Sequence, residues 1–268
     1  MTEYIYKTIG DRNLCLWVYE PTDKVYEKAP VCVFVPGGGW KVSNGKGMVE
    51  FAGVAANLLR NAGCAVVGIE YRIVSEENVG INETVSDCFD AARYLVHNAD
   101  NLVFDTGRMV TVGHSAGGHL ALMMAYADDK SFKVDSVLCD EFSIKAAAVM
   151  SPVTALHTDS IPQTLGFPTN DPFRKNNTIE ERKKLSPIEY VTKNTPPTFL
   201  SAATSDRLVY CNSSELLYER LREAGVDSEL VLCLGGGHCF EKMHKEFEPS
   251  IKFAEIQERL AKFVLERI

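Results

Sequence analysis

Met109-Val110-Thr111-Val112-Gly113-His114-Ser115-Ala116-Gly117-Gly118-His119-Leu120-Ala121 is the stretch on which the reading of the chain turns. Its first four residues suit a buried strand and its last five a close-packed helix. Between them stands G-x-S-x-G, where a sharp strand-to-helix turn lifts a serine oxygen clear of a sheet and small neighbours avoid backbone clashes. The bare pattern arises by chance in roughly one chain in ten at this length, so the strand before it and the helix after it carry the weight.

On either side of this stretch, short β-rich runs alternate with helix-length amphipathic segments. Strands are expected at 4–9, 14–19, 31–35, 65–69, 109–112, 146–150, 198–203 and 229–234, with helices at 47–61, 83–98, 116–127, 213–224 and from about 250. This alternation predicts an α/β fold, a mostly parallel sheet of about eight strands with helices on both faces and an antiparallel hairpin at the start. Residues 152–197, rich in Pro, Asn and charge, are long for a plain connection and are expected to form a small cap on an otherwise single domain covering 1–268.

The composition narrows the classes. The 268 residues hold 28 Lys+Arg against 36 Asp+Glu, a net charge of −8, with 46% hydrophobic residues. That is globular composition, and its acidity works against unaided phosphate-backbone binding, so nucleic acid is not expected as a partner. No apolar run reaches the ~18 residues of a membrane span and the start of the chain lacks a signal-peptide pattern, so no membrane partner and a cytoplasmic location are expected. The eight cysteines are scattered without a C-x-x-C pair and read as buried thiols in a reducing compartment.

Three segments that follow strands hold groups able to do chemistry together. A serine hydroxyl needs an imidazole to take its proton and a carboxylate to orient that imidazole. Ser115 follows the strand at 109–112, Asp206 the strand at 198–203, and His238 the strand at 229–234 in Gly235-Gly236-Gly237-His238. Sites in open α/β sheets lie at that edge. Asp227 precedes its strand and belongs at the opposite edge; His244 is the second candidate for the base. Among the other histidines, His119 suits packing, His97 lies near a helix end, and His114 and His157 are candidates for lining a substrate pocket. Pro36-Gly37-Gly38-Gly39-Trp40 follows the strand at 31–35, and backbone N–H groups of Gly38 and Gly39, with that of Ala116, can serve as an oxyanion hole. A phosphate loop is not expected, because neither G-x-x-x-x-G-K-[ST] nor a spaced G-x-G-x-x-G is present. Trp40 has two roles open to it, as a wall of the acyl pocket or as packing beneath the loop.

These residues, with Glu70-Tyr71-Arg72 and Leu185-Ser186-Pro187, resemble the α/β-hydrolase superfamily, in particular hormone-sensitive-lipase-like esterases and small microbial acetyl-esterase, acetylxylan-esterase and feruloyl-esterase-like proteins. The resemblance runs from about residue 31 to 240. It implies Ser115 as nucleophile, His238 as base and then acid, Asp206 as its partner, and Gly38, Gly39 and Ala116 as oxyanion donors, with no cofactor and no metal. The family's usual His-Gly-Gly-Gly begins here with Pro36, while Tyr71 and Arg72 are expected to brace the loop. The implied activity is a serine carboxylesterase for short-chain, above all acetyl, esters, with sugars or xylo-oligosaccharides as candidate carriers. The expected partner is thus a small-molecule ester, with a homo-oligomer left open. Arylformamidase, peptidase, a non-catalytic receptor and a metal site at Cys233, His238, Cys239 and His244 are the alternatives.

Overall fold

The computed structural model describes residues 1–157 and 178–268. Eight strands, β1 (Thr2–Ile9), β2 (Arg12–Tyr19), β3 (Ala29–Val35), β4 (Ala65–Ile69), β5 (Phe104–His114), β6 (Ala146–Met150), β7 (Thr198–Ala203) and β8 (Ser228–Cys233), form one sheet in the order β1-β2-β4-β3-β5-β6-β7-β8. β1 and β2 pair antiparallel, as do β2 and β4, and every later pair is parallel. This is the expected α/β class and strand number. The helices are α1 (Gly45–Phe51), α2 (Gly53–Asn61), α3 (Ile81–His97), α4 (Ala99–Leu102), α5 (Ala116–Tyr126), α6 (Ile179–Lys184), α7 (Asn212–Glu223) and α8 (Phe253–Leu265).

β3 shows why the central strands read as unbroken apolar runs. Val31, Val33 and Val35 pack into the core on the side of α3, α5 and α7, whereas Cys32 and Phe34 pack into the other, on the side of α1, α2 and α8. With both faces covered, successive side chains point alternately into two dry layers and none of the two sets needs to be polar. β3 lies between β4 and β5, so the chain order reverses there, and the crevice outside the carboxyl ends of β3 and β5 is the natural ligand position.

Three local differences from expectation have physical causes. The helix expected at 47–61 is two helices, broken at Ala52 (φ −94°, ψ 35°) beside Gly53, a residue that gives little support to a continuous helix. β5 begins at Phe104 rather than 109, because Ala29 and Pro30 pair with Phe104 and Asp105 before the register shifts, drawing a polar segment into the sheet. The four-residue α4 is too short to show any periodicity.

Part of the expected cap, 158–177, lies outside the described residues. On its flanks, α6 carries a Thr178–Glu181 capping box, and Leu185 is buried with its carbonyl bound by His119. The eight cysteines are all free thiols, but only Cys32, Cys64, Cys88 and Cys233 are buried as expected; Cys15 and Cys211 are half-buried, and Cys139 and Cys239, which lie in loops, are exposed. Among the described residues no helix is long and apolar enough to cross a membrane.

Candidate active site

The turn after β5 is the most constrained corner of the molecule. Ser115 has φ 57° and ψ −123°, a conformation that costs a non-glycine residue of the order of 1–3 kcal/mol and persists only where its surroundings over-determine it. Here they do. A Cβ on Gly113 would lie 2.2 Å from the Gly117 carbonyl oxygen, and one on Gly117 would lie 2.1 Å from that of Val35. The two glycines therefore let α5 begin against β3 and β5, and the Ser115 N–H is held by the Met150 carbonyl at 2.9 Å.

Two further strand ends bring the partners. Asp206 follows β7, and its Oδ1 accepts the N–H groups of Leu208 (2.7 Å) and Val209 (3.0 Å). Those bonds aim Oδ2 at His238 Nδ1, 2.7 Å away. The carboxylate side chain is 1% exposed and the imidazole 12%, so the pair is shielded from bulk water while the ring retains one open side. With Nδ1 donating to the carboxylate, the neutral ring carries its lone pair on Nε2, as a general base requires. Ser115 and His238 line the same cavity. The Ser115 hydroxyl makes no hydrogen bond among the described residues, and contacts of this kind commonly tighten only with substrate in place.

The cavity has a volume of about 510 Å³. Gly37, Gly38 and Gly39 form one wall, Met48 and Phe51 of α1 a second, and Val153, Leu208 and Val209 a third; no Asp, Glu, Lys or Arg lines it among the described residues. Gly38 (φ 125°) and Gly39 (φ 61°) hold backbone conformations that L side chains rarely adopt. Their N–H groups, and that of Ala116, form no hydrogen bond among the described residues. Tyr71 braces this loop as expected: its hydroxyl donates to the Pro36 carbonyl at 2.7 Å. Arg72 is bound through Nε to Asp87 at 2.8 Å, within a buried network that joins Lys7, Asp90 and Arg93. Pro36 in place of a histidine leaves the glycine backbone available.

The remaining candidates separate cleanly. Trp40 combines both of its roles: it lines the cavity yet is 1% exposed, and its indole N–H donates to His119 Nδ1 at 3.3 Å. His119 in turn donates through Nε2 to the Leu185 carbonyl at 2.7 Å, and burial pushes its pKa down to about 4, so it is a neutral packing residue. His114 lines the cavity beside Phe51. His157 does not line it; its ring contacts the Ser186 hydroxyl at 3.1 Å and Glu189 at 3.3 Å. His244 bonds Ser205 and stacks on Phe247, and His97 faces Asp140 at the surface. Asp227 is paired with Arg267, and its carbonyl accepts the N–H of Thr198 at the start of β7, the opposite end from the site. Among the described residues no group of three or more His, Cys, Asp or Glu side chains is arranged to hold a metal.

Sequence reasoning missed Ser151. It follows β6 as Ser115 follows β5, with φ 44°, and its hydroxyl donates to the His238 carbonyl at 3.1 Å. Its place just beyond a parallel strand was the available signal.

The sheet topology, the strained serine corner and, on the same cavity as that serine, a His238 bonded to Asp206 define the α/β-hydrolase class. Within that class the BD-FAE family model matches residues 16–221, and the chain belongs to this family. It is similar to the esterase LipC of Mycobacterium tuberculosis, 26% identical over 84% of this chain and 56% of that protein. It is also similar to the isoprenylcysteine alpha-carbonyl methylesterase ICME of Arabidopsis thaliana, 24% identical over 78% of this chain and 50% of that protein. The chain thus spans about half the length of these curated relatives. Among solved structures, the propionate-bound esterase Est2 of Thermogutta terrifontis superposes with a TM-score of 0.79 and 25% identity, covering 99% of this chain and 93% of that one.

Proposed function

We propose that the protein is a serine carboxylesterase acting on short-chain acyl esters, with acetyl esters the smallest of its substrates. The observation that carries this reading is the 2.7 Å bond from His238 Nδ1 to a carboxylate already fixed by two backbone N–H groups, on the wall of the cavity that Ser115 enters. In the reaction His238 Nε2 takes the Ser115 proton as the serine oxygen attacks the ester carbonyl. The oxyanion is received by the N–H groups of Gly38, Gly39 and Ala116. The imidazolium then protonates the leaving alcohol. Water, activated by the same ring, releases the acyl group from Ser115 and restores the enzyme.

The walls favour an uncharged ester, since ionic groups would be desolvated against Met48, Phe51, Val153 and Leu208 without a partner of opposite sign. Propionate bound to Est2, and the esterase names of the relatives, support a short acyl group. Acetylated sugars or xylo-oligosaccharides remain the proposed natural carriers. Eight unpaired thiols fit a reducing, cytoplasmic setting.

The test is turnover of p-nitrophenyl esters of rising acyl length beside acetylated xylo-oligosaccharides, with Ser115→Ala as control. The reading expects highest kcat/KM at two to four acyl carbons and none in the variant; preference for long chains, or an active Ser115→Ala protein, overturns it. Faster cleavage of a formyl anilide or a peptide would move the assignment to those chemistries.

A further inference from the structure

The triad accounts for the His238 ring but not for what holds its backbone. His238 lies in the segment between β8 and α8, where Leu234, Cys239, Glu241 and Lys242 are exposed and Phe240 packs into the core. His114, the last residue of β5, is by contrast buried, and its Nε2 lies 3.0 Å from the His238 carbonyl oxygen. A carbonyl only accepts, so Nε2 carries the hydrogen and Nδ1 the lone pair. Burial, followed by the proximity of His238, pushes the pKa of His114 down to about 4, which keeps that ring neutral near pH 7. The second donor to the same oxygen is the Ser151 hydroxyl, whose residue is held in turn by its N–H bond to the Ser201 carbonyl at 2.7 Å.

Ring contacts close a circuit around this bond. His238 and His114 have centroids 4.7 Å apart, His114 and Phe51 4.8 Å, Phe51 and Phe253 4.8 Å, and Phe253 stacks on Phe240, two residues beyond His238, at 5.4 Å. The exposed segment is therefore tied to the core on both sides of the base.

We infer that His114 is a positioning residue for His238: with Ser151 it clamps the His238 carbonyl, so that the ring keeps its place beside Ser115 through both proton transfers. The inference rests on the esterase reading above. A misplacement of the base lowers the rate of the chemical steps, a loss that falls on kcat rather than KM; His114 also lines the cavity, so Ser151, which does not, reports the clamp without a change of wall.

The test compares His114→Gln, which places an amide N–H near the position of Nε2, with His114→Met, of similar length but without a donor, and with Ser151→Ala. The His114→Met enzyme is expected to lose about tenfold or more in kcat for p-nitrophenyl acetate, with KM within about twofold of wild type. His114→Gln recovers most of that loss, and Ser151→Ala shows a smaller fall in kcat of the same kind. Equal impairment of the Gln and Met variants, or a rise in KM at unchanged kcat, overturns the clamp. Melting temperatures are read alongside; if His114→Met does not fold, wild-type kcat in Ser151→Ala is the overturning result and a lowered kcat the supporting one. An active Ser115→Ala protein would instead defeat the esterase reading itself, and an inactive one beside a fully active His114→Met would defeat the clamp alone.

Discussion

Replacing Asp206 by Asn separates orientation of the base from stability of the fold. The carboxylate has two jobs on two oxygens: Oδ1 accepts from Leu208 and Val209, and Oδ2 accepts from His238 Nδ1. An asparagine keeps the first through its carbonyl oxygen. In the second position it presents an N–H to an N–H, and the clash is relieved when the imidazole moves its hydrogen to Nε2. That nitrogen is then no longer a base. The loss expected for a triad in the wrong tautomer is ~10⁴ in kcat, about 5 kcal/mol of transition-state stabilisation. Asp206→Ala should lose as much activity and also leave two backbone donors of the 206–209 turn without their acceptor, at a cost of about 1–3 kcal/mol each if they stay buried. Steady-state hydrolysis of p-nitrophenyl acetate, read with thermal melts of the three proteins, tests this. The Asn variant should melt near wild type and be almost inactive; the Ala variant should be inactive and melt lower. An Asn variant within tenfold of wild-type kcat would show that the 2.7 Å bond does not set the tautomer.

Tyr71→Phe removes the hydroxyl on the Pro36 carbonyl, and is expected to lower kcat several-fold by loosening the glycine loop, with a stability loss of about 1 kcal/mol; unchanged kcat would separate the brace from the oxyanion donors. The buried neutral rings of His114 and His119, each held at about 4, make stability pH-dependent. Their folded pKa values lie below the unfolded 6.5, so the unfolded chain binds more protons between pH 6.5 and 4 and stability falls as the pH is lowered through that window, by up to about 3 kcal/mol per ring. Urea midpoints should drop accordingly, and His119→Gln should flatten the slope; a midpoint independent of pH would contradict the buried neutral rings. Prolonged dialysis against a chelator should leave esterase activity unchanged, and a loss restored by added zinc would revive a metal at Cys233, His238, Cys239 and His244.

The β-α alternation was legible because the parallel strands are covered on both faces and so appear as short apolar blocks; 65–69, 146–150 and 198–203 match the observed strands end for end. The polar start of β5 was not, since only Phe104 and Asp105 pair with β3 there and residues 106–108 fall in the register shift before Met109. At the site, Ser115, Asp206 and His238 were singled out by their shared place after strands; the structure puts Ser115 and His238 on one cavity and Asp206 behind His238, bonded to its ring. What could not be read were groups whose part depends on tertiary approach. His157 lay on the expected cap but turns to Ser186 and Glu189, whereas Ser151 looked like any residue before Pro152 and reaches the His238 carbonyl. Met48 and Phe51 lay within an expected helix, but nothing in its pattern showed which of its residues would reach the cavity.

The proposed reaction passes through a covalent bond to one oxygen. Acid-quenched p-nitrophenyl acetate reactions of the wild-type enzyme, digested and sequenced by mass spectrometry, should show a single acetyl group on the Ser115 hydroxyl, absent from Ser115→Ala. Turnover in full with that peptide never acetylated, or with the label on another side chain, would contradict it.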